Sequence, residues 1–122
     1  MTQIQNSKHY DLEERTLIYG KRIIVLSKSV VKNSINLPLI SQLIRSGTSV
    51  GANYREANET STKKDFLFRM RICRKEAKET AYWLDLVIEA NPELKERIKP
   101  LSDETIELVK IFAAIIIKSS KF

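Results

Sequence analysis

Three glycines and three prolines are all the strong helix breakers in 122 residues, and long uninterrupted tracts lie between them. Along those tracts Ile, Leu and Val recur at three- and four-residue steps, the period of a helix that buries one face. Few breakers together with abundant Ile, Leu, Glu and Lys favour an all-α fold over a β-rich one. A chain of this length forms one domain around one core.

Four helices account for most of the sequence. Asp11 is placed as an N-cap, with Glu14 three residues on in capping-box position. Leu17, Ile23, Ile24, Val30 and Val31 then carry the helical period over residues 11–33. "NSINLP" interrupts it, and Pro38 suits the first position of a second helix, 38–60. Ser61 or Thr62 caps a long third helix, 62–90, which Asn91-Pro92 stops. "PELKERIKP" reads as a short helical turn between prolines. Ser102 then caps a final helix, 103–119, with Asp103 and Glu104 in its positive first turn. Connections of roughly 4 to 12 residues between helices this long predict an up-down-up-down antiparallel four-helix bundle.

The final helix is unusually apolar. Ile106, Val109, Ala113, Ile116 and Ile117 make one stripe, and Leu108, Ile111, Phe112 and Ile115 widen it round most of the circumference. A helix apolar nearly all round is buried on more than one side. A homo-oligomer would supply the second side; the alternative is a packed helix that leaves an apolar patch.

"RSGTSVGANYREAN", residues 45–58, contains the only close pair of glycines. A Walker-type phosphate loop needs four residues between its glycines, a following Lys, and a preceding strand. Here the spacing is G-x-x-x-G, no Lys follows, and Ile40, Leu43, Ile44, Gly47, Val50, Gly51, Tyr54 and Ala57 fall on one helical face. The segment is therefore a helix, and a costly one. Two interior glycines and several Thr, Ser, Val and Asn residues sacrifice roughly 3–4 kcal/mol of helix propensity. Close packing must offset that loss. Gly47 and Gly51 can let two helices of one bundle approach. Because Thr48, Ser49 and Ala52 are small as well, the helix could also be gripped between its own bundle and a neighbouring subunit.

Charge is unevenly spread. The net charge is +6, and Lys63, Lys64, Arg69, Arg71, Arg74, Lys75 and Lys78 face only Asp65 and Glu76 within residues 63–78. On a helical wheel Lys64, Arg71, Lys75 and Lys78 project within about 60° of one another, with Arg74 at the margin and Tyr82 at the end. Such a row can follow a phosphate backbone, and an adjacent aromatic can stack on a base. The alternative is a solvated face partly neutralised within the helix, as by Lys75 and Glu79 at i, i+4. Glu76 flanks the core face near Thr80, Trp83 and Arg69. A partly buried carboxylate needs a cation, and Arg45 on the preceding helix is the candidate partner.

Other chemistry is poorly supplied. Cys73 cannot form an internal disulfide and sits on the apolar face with Phe66, Met70, Ala77 and Leu84, where a small hydrophobe belongs. His9 is the sole histidine. Without a Glu-x-x-His motif no di-metal bundle site is expected, and Glu56, Glu59, Glu76 and Glu79 lack histidine partners for one. No catalytic residue, metal or cofactor is therefore expected. The N-terminus has no apolar signal region, which points to the cytoplasm. The longest apolar run, Ile111–Ile117, is too short for the roughly 20 residues that span a bilayer.

"LIRSGTSVGANYREA" followed by "KKDFLFRMRICRKEAKETAYWL" resembles the small four-helix-bundle proteins encoded in intervening sequences of bacterial 23S ribosomal RNA genes. The similarity runs from about Asp11 to Phe112. Arg45-Ser46, Ala52-Asn53, Glu76-Ala77, Glu79 and Tyr82-Trp83-Leu84 stand where that family's pattern places them. Many members read Ala-Glu-Gly after the Asn, whereas this chain reads Arg55-Glu56-Ala57-Asn58, so its helix continues where a glycine would end it. The resemblance implies a homo-oligomer, often a five-fold ring. It also brings a distant likeness to basic accessory proteins of diversity-generating retroelements, which bind nucleic acid and a reverse transcriptase. It implies no catalytic residues. The expectation is a non-enzymatic oligomer that binds RNA or DNA backbone through the third helix. The rival expectation is a protein-only scaffold that recruits a partner protein through its oligomeric surfaces.

Overall fold

A computed structural model of the chain describes residues 11–121; His9 lies outside them. Four helices run through these residues: α1 (Leu12–Ser29), α2 (Asn36–Asn58), α3 (Lys63–Ala90) and α4 (Lys95–Ser120), with a 3-10 turn (Pro92–Leu94) before the last. Helices consecutive in sequence pack along their lengths, and the chain runs up-down-up-down. The Asp11 carboxylate accepts the Glu14 backbone N–H at 3.2 Å, and Thr62 does the same for Asp65 at 3.1 Å. Both satisfy donors that a helix start leaves without partners.

Four boundaries differ from the sequence expectation by two residues or more, among them the end of α2 at Asn58 rather than residue 60. Helix α1 ends at Ser29 rather than residue 33, because Val30 turns extended and places its side chain in the core. Helix α2 begins at Asn36, two residues before Pro38. The Asn33 side chain accepts the Ile35 and Asn36 N–H groups at 3.1 and 2.8 Å and so supplies the cap that Pro38 was expected to mark. The largest correction is at α4, which is continuous from Lys95 through Pro100. Proline removes a hydrogen bond to the carbonyl four residues back, here that of Glu96. Both residues are exposed, and the neighbouring Ile98 and Leu101 are buried, so packing on the inner side holds the helix while water can reach the outer side. Ser102 is consequently no cap but a mid-helix residue whose buried hydroxyl has no partner.

The apolar stripe of α4 is also rotated from expectation. Ile98, Leu101, Thr105, Leu108, Phe112 and Ile116 face the core, while Ile106 and Ile117 are exposed. Val109, Ile111 and Ile115 flank the buried line.

Helix α1 approaches α2 closely through the glycine face. A Cβ on Gly47 would lie 2.7 Å from Ile23 Cγ1, and one on Gly51 would lie 3.0 Å from Thr16 Oγ1 and 3.3 Å from the Thr16 carbonyl carbon. Neither glycine has a positive φ, so space alone excludes a side chain there. The contacts pair Thr16 with Gly51 and Ile23 with Gly47, which is the antiparallel register. Ala52 is exposed and lines an open hollow at the edge of this contact, beside Thr16, Leu17 and Gly20.

Each helix contributes one hydroxyl to a buried layer. Tyr19 Oη meets Thr105 Oγ1 at 2.5 Å, and Thr105 in turn donates to the Leu101 carbonyl. Thr80 Oγ1 lies 2.9 Å from Ser46 Oγ and also neighbours Tyr19. Burial drives the Tyr19 phenol pKa up, so the neutral hydroxyl donor persists well beyond its ordinary range. At one end of the bundle Asn36 and Asn91 exchange amide hydrogen bonds of 3.0 and 2.9 Å. Their second N–H groups donate to Val31 and Val87 carbonyls, so both buried amides are satisfied.

Three single substitutions test these contacts. Gly20→Ala should stabilise by up to about 1 kcal/mol, because a Cβ there meets nothing nearer than 4.0 Å. Gly47→Ala should instead destabilise by about 1–3 kcal/mol through overpacking, and combining it with Ile23→Ala should cost less than the two changes summed. Asn91→Ala should cost about 2–3 kcal/mol by leaving the Asn36 amide buried without its partner. Denaturant unfolding measures each; equal effects at Gly20 and Gly47 would contradict the close-approach account.

Candidate nucleic-acid interface on helix α3

Helix α3 buries Leu67, Met70, Cys73, Ala77, Thr80, Leu84 and Val87. That fixes what the opposite side presents. Lys64, Phe68, Arg71, Lys75, Lys78 and Tyr82 are exposed there, and Arg74 is half-buried at the edge. At helical pitch they make one line about 27 Å long. Among the described residues, no carboxylate comes within ion-pair distance of Lys64, Arg71, Arg74, Lys75 or Lys78. In particular, Glu79 does not close an i, i+4 bridge with Lys75, because α2 claims it.

Arg45 makes that claim. Its Nη1 donates to Glu76 Oε1 at 3.2 Å and its Nη2 to Glu79 Oε2, while Gln42 Oε1 accepts from its Nε at 3.0 Å. Glu76 is the better buried of the two carboxylates. Glu79 Oε2 also accepts the Trp83 indole N–H at 2.9 Å, and the Tyr82 ring meets the Trp83 ring edge-on at a centroid distance of 5.1 Å. The Trp83 donor, and then Arg45, hold the Glu79 carboxyl below the usual carboxylate range. Arg45 thus ties α2 to α3 and, through Glu79 and Trp83, steadies Tyr82.

Phe68 has no role in the sequence reading, and Glu79 enters it as a partner of Lys75 rather than of Arg45. Glu79 shares Arg45 with Glu76, and its i, i+4 spacing to Trp83 is the available signal. Phe68 is 59% exposed beside the cation row; it falls off the Leu67, Met70, Cys73 core period, which marks it as outward-facing. The four glutamates considered for carboxylate chemistry divide into two groups. Glu76 and Glu79 sit on Arg45, whereas Glu56 and Glu59 line a shallow hollow with Asp65, Phe68 and Arg69. Burial pushes the Cys73 thiol up to about 12, which disfavours the thiolate. Among the described residues no three His, Cys, Asp or Glu side chains gather closely enough to hold a metal ion. No helix there is long and apolar enough to cross a membrane.

The Arg45 clamp carries its own prediction. Because the folded Glu79 pKa is depressed below its ordinary 4.5, the stabilisation is complete above that value and fades as pH falls through the folded pKa. Arg45→Ala should therefore cost about 1 kcal/mol near neutral pH, and the difference from wild type should shrink in acid. Denaturant unfolding at neutral and acid pH reads this directly; a constant difference would remove Glu79 from the account.

Comparison with known proteins places this architecture. No curated protein matches the sequence. A solved structure described as a protein of unknown function from the S23 ribosomal protein family of Bacteroides thetaiotaomicron is 35% identical, with a TM-score of 0.78. The match covers 85% of this chain and 96% of that one. The family described as 23S rRNA-intervening sequence protein matches residues 9–114. With nearly the whole bundle inside that match, the chain belongs to the 23S rRNA-intervening sequence protein family.

Proposed function

We propose that the protein binds the sugar–phosphate backbone of RNA or DNA through the outer face of α3 and performs no catalysis of its own. The observation that carries this is the row Lys64, Arg71, Lys75 and Lys78, with Arg74 beside it, standing without carboxylate partners on a rigid 28-residue helix. Unpaired cations at regular spacing release counterions when phosphates replace them. The helix carries no base-reading module, so the contact is set by charge and shape.

The same proposal includes assembly into a homo-oligomer in the cytoplasm, with a five-fold ring as the expected form. Leu17, Ile18, Ile24 and Val25 on α1, and Ile106 and Ile117 on α4, remain exposed and support a further contact. A ring would repeat the α3 row and multiply its avidity. A second reading, a protein-only scaffold, is favoured by the groove between α1 and α4. Its apolar walls Ile18, Val25 and Leu101 are edged by Lys21, Arg22 and Arg97, which suits an acidic amphipathic partner helix.

Polyanion binding measured against salt separates the two. Wild type should bind RNA or DNA with an affinity that falls steeply as salt rises. A Lys64/Arg71/Lys75/Lys78→Glu variant should lose that binding while keeping its helical spectrum. Failure of wild type to bind at low salt would leave the scaffold. Light scattering tests assembly independently, and a monomer at micromolar concentration would overturn it.

A further inference from the structure

The residues at positions 68, 71, 75, 78 and 82 read Phe, Arg, Lys, Lys, Tyr, and they follow the three-and-four spacing that keeps side chains on one line. Three cations are thus bracketed by two aromatic rings about 21 Å apart. Phe68 is 59% exposed and Tyr82 57%, so folding leaves most of both rings in water. A phenyl ring offers nucleic acid no hydrogen bond; its favourable contact is stacking on a base face. Duplexes hide base faces inside the stack, whereas unpaired strands present them.

The surrounding charge sharpens the pattern. Glu56, Glu59 and Asp65 border Phe68, with Arg69 among them, and Asp85 follows Tyr82 by one turn. The phosphate track between the rings is therefore Arg71–Lys78, with Lys64 continuing the row beyond Phe68, while uncharged bases can reach either ring. Tyr82 is held edge-on by Trp83, which Glu79 fixes, and the Arg69 guanidinium lies 6.0 Å from the centre of the Phe68 ring.

We propose that the α3 line selects single-stranded over duplex nucleic acid, with Phe68 and Tyr82 as base-stacking platforms on either side of a short phosphate track. This rests on the backbone-binding function proposed above and adds the form of nucleic acid recognised.

The test compares fluorescently labelled oligo-dT and oligo-U with a blunt DNA duplex of equal length, at one fixed low salt concentration. Wild type should bind the single strands at least about tenfold more tightly than the duplex, the scale of one or two stacked bases. Phe68→Ala and Tyr82→Ala should each weaken single-strand binding about fivefold or more and leave duplex binding unchanged. Phe68→Tyr and Tyr82→Phe should retain it. Arg71→Gln should weaken both forms alike, which separates charge from stacking. Equal affinity for single strand and duplex, or unchanged affinity in both alanine variants, overturns the stacking proposal while leaving backbone binding in place. Absence of binding to every probe overturns both.

Discussion

The contact of α1 against the glycine face of α2 organises the rest of the bundle. Ile23 and Thr16 can lie over Gly47 and Gly51 only because no Cβ intervenes. That separation brings Tyr19, midway between them on α1, into the centre of the molecule, where its hydroxyl reaches Thr105 on α4 beside Thr80 on α3. A wider gap would leave those hydroxyls buried without partners, at a cost of about 1–3 kcal/mol for each. The propensity sacrificed at the glycines is thus returned through one layer that joins all four helices.

With α3 fixed in that layer, its outer side is determined. The core takes Met70, Cys73, Ala77 and Thr80, so Arg71, Lys75 and Lys78 must face solvent. Arg45 then decides how charged that face remains. By engaging Glu76 and Glu79 it keeps both carboxylates beyond ion-pair distance of the cation row, although Lys75 still acts on Glu79 through space. The positive line on α3 therefore depends on a residue of α2, and structural pairing and surface charge are two sides of one arrangement.

The helices could be read from the sequence where period and punctuation agree. Asp11 and Thr62 cap as their residue types suggest, and Asn91-Pro92 ends α3. The reading failed where tertiary packing outweighed a local signal. Pro100 and Ser102 look like a stop and a start, yet Ile98 and Leu101 bury on either side of the proline and carry α4 straight through. The α4 stripe was misplaced for a related reason. When nearly every position is apolar, periodicity cannot distinguish Ile106 from Thr105, and the polar layer selects Thr105 by hydrogen bonding to Tyr19. Of the surface line, the cations and Tyr82 were visible as charge and aromatic character at helical spacing. Phe68 was not, because an aromatic residue in an amphipathic helix is ordinarily taken for core.

The sequence by itself determined the helical class, the four-helix order, the family, and the row of cations along α3. These follow from the spacing of residue types along the chain, which any helix preserves. Only the tertiary structure decided that Gly47 and Gly51 pack against α1 while Ala52 stays exposed, and that Glu79 belongs to Arg45 and Trp83 rather than Lys75. Those outcomes depend on which helix lies across each face, a property of three-dimensional neighbours that one-dimensional spacing does not contain.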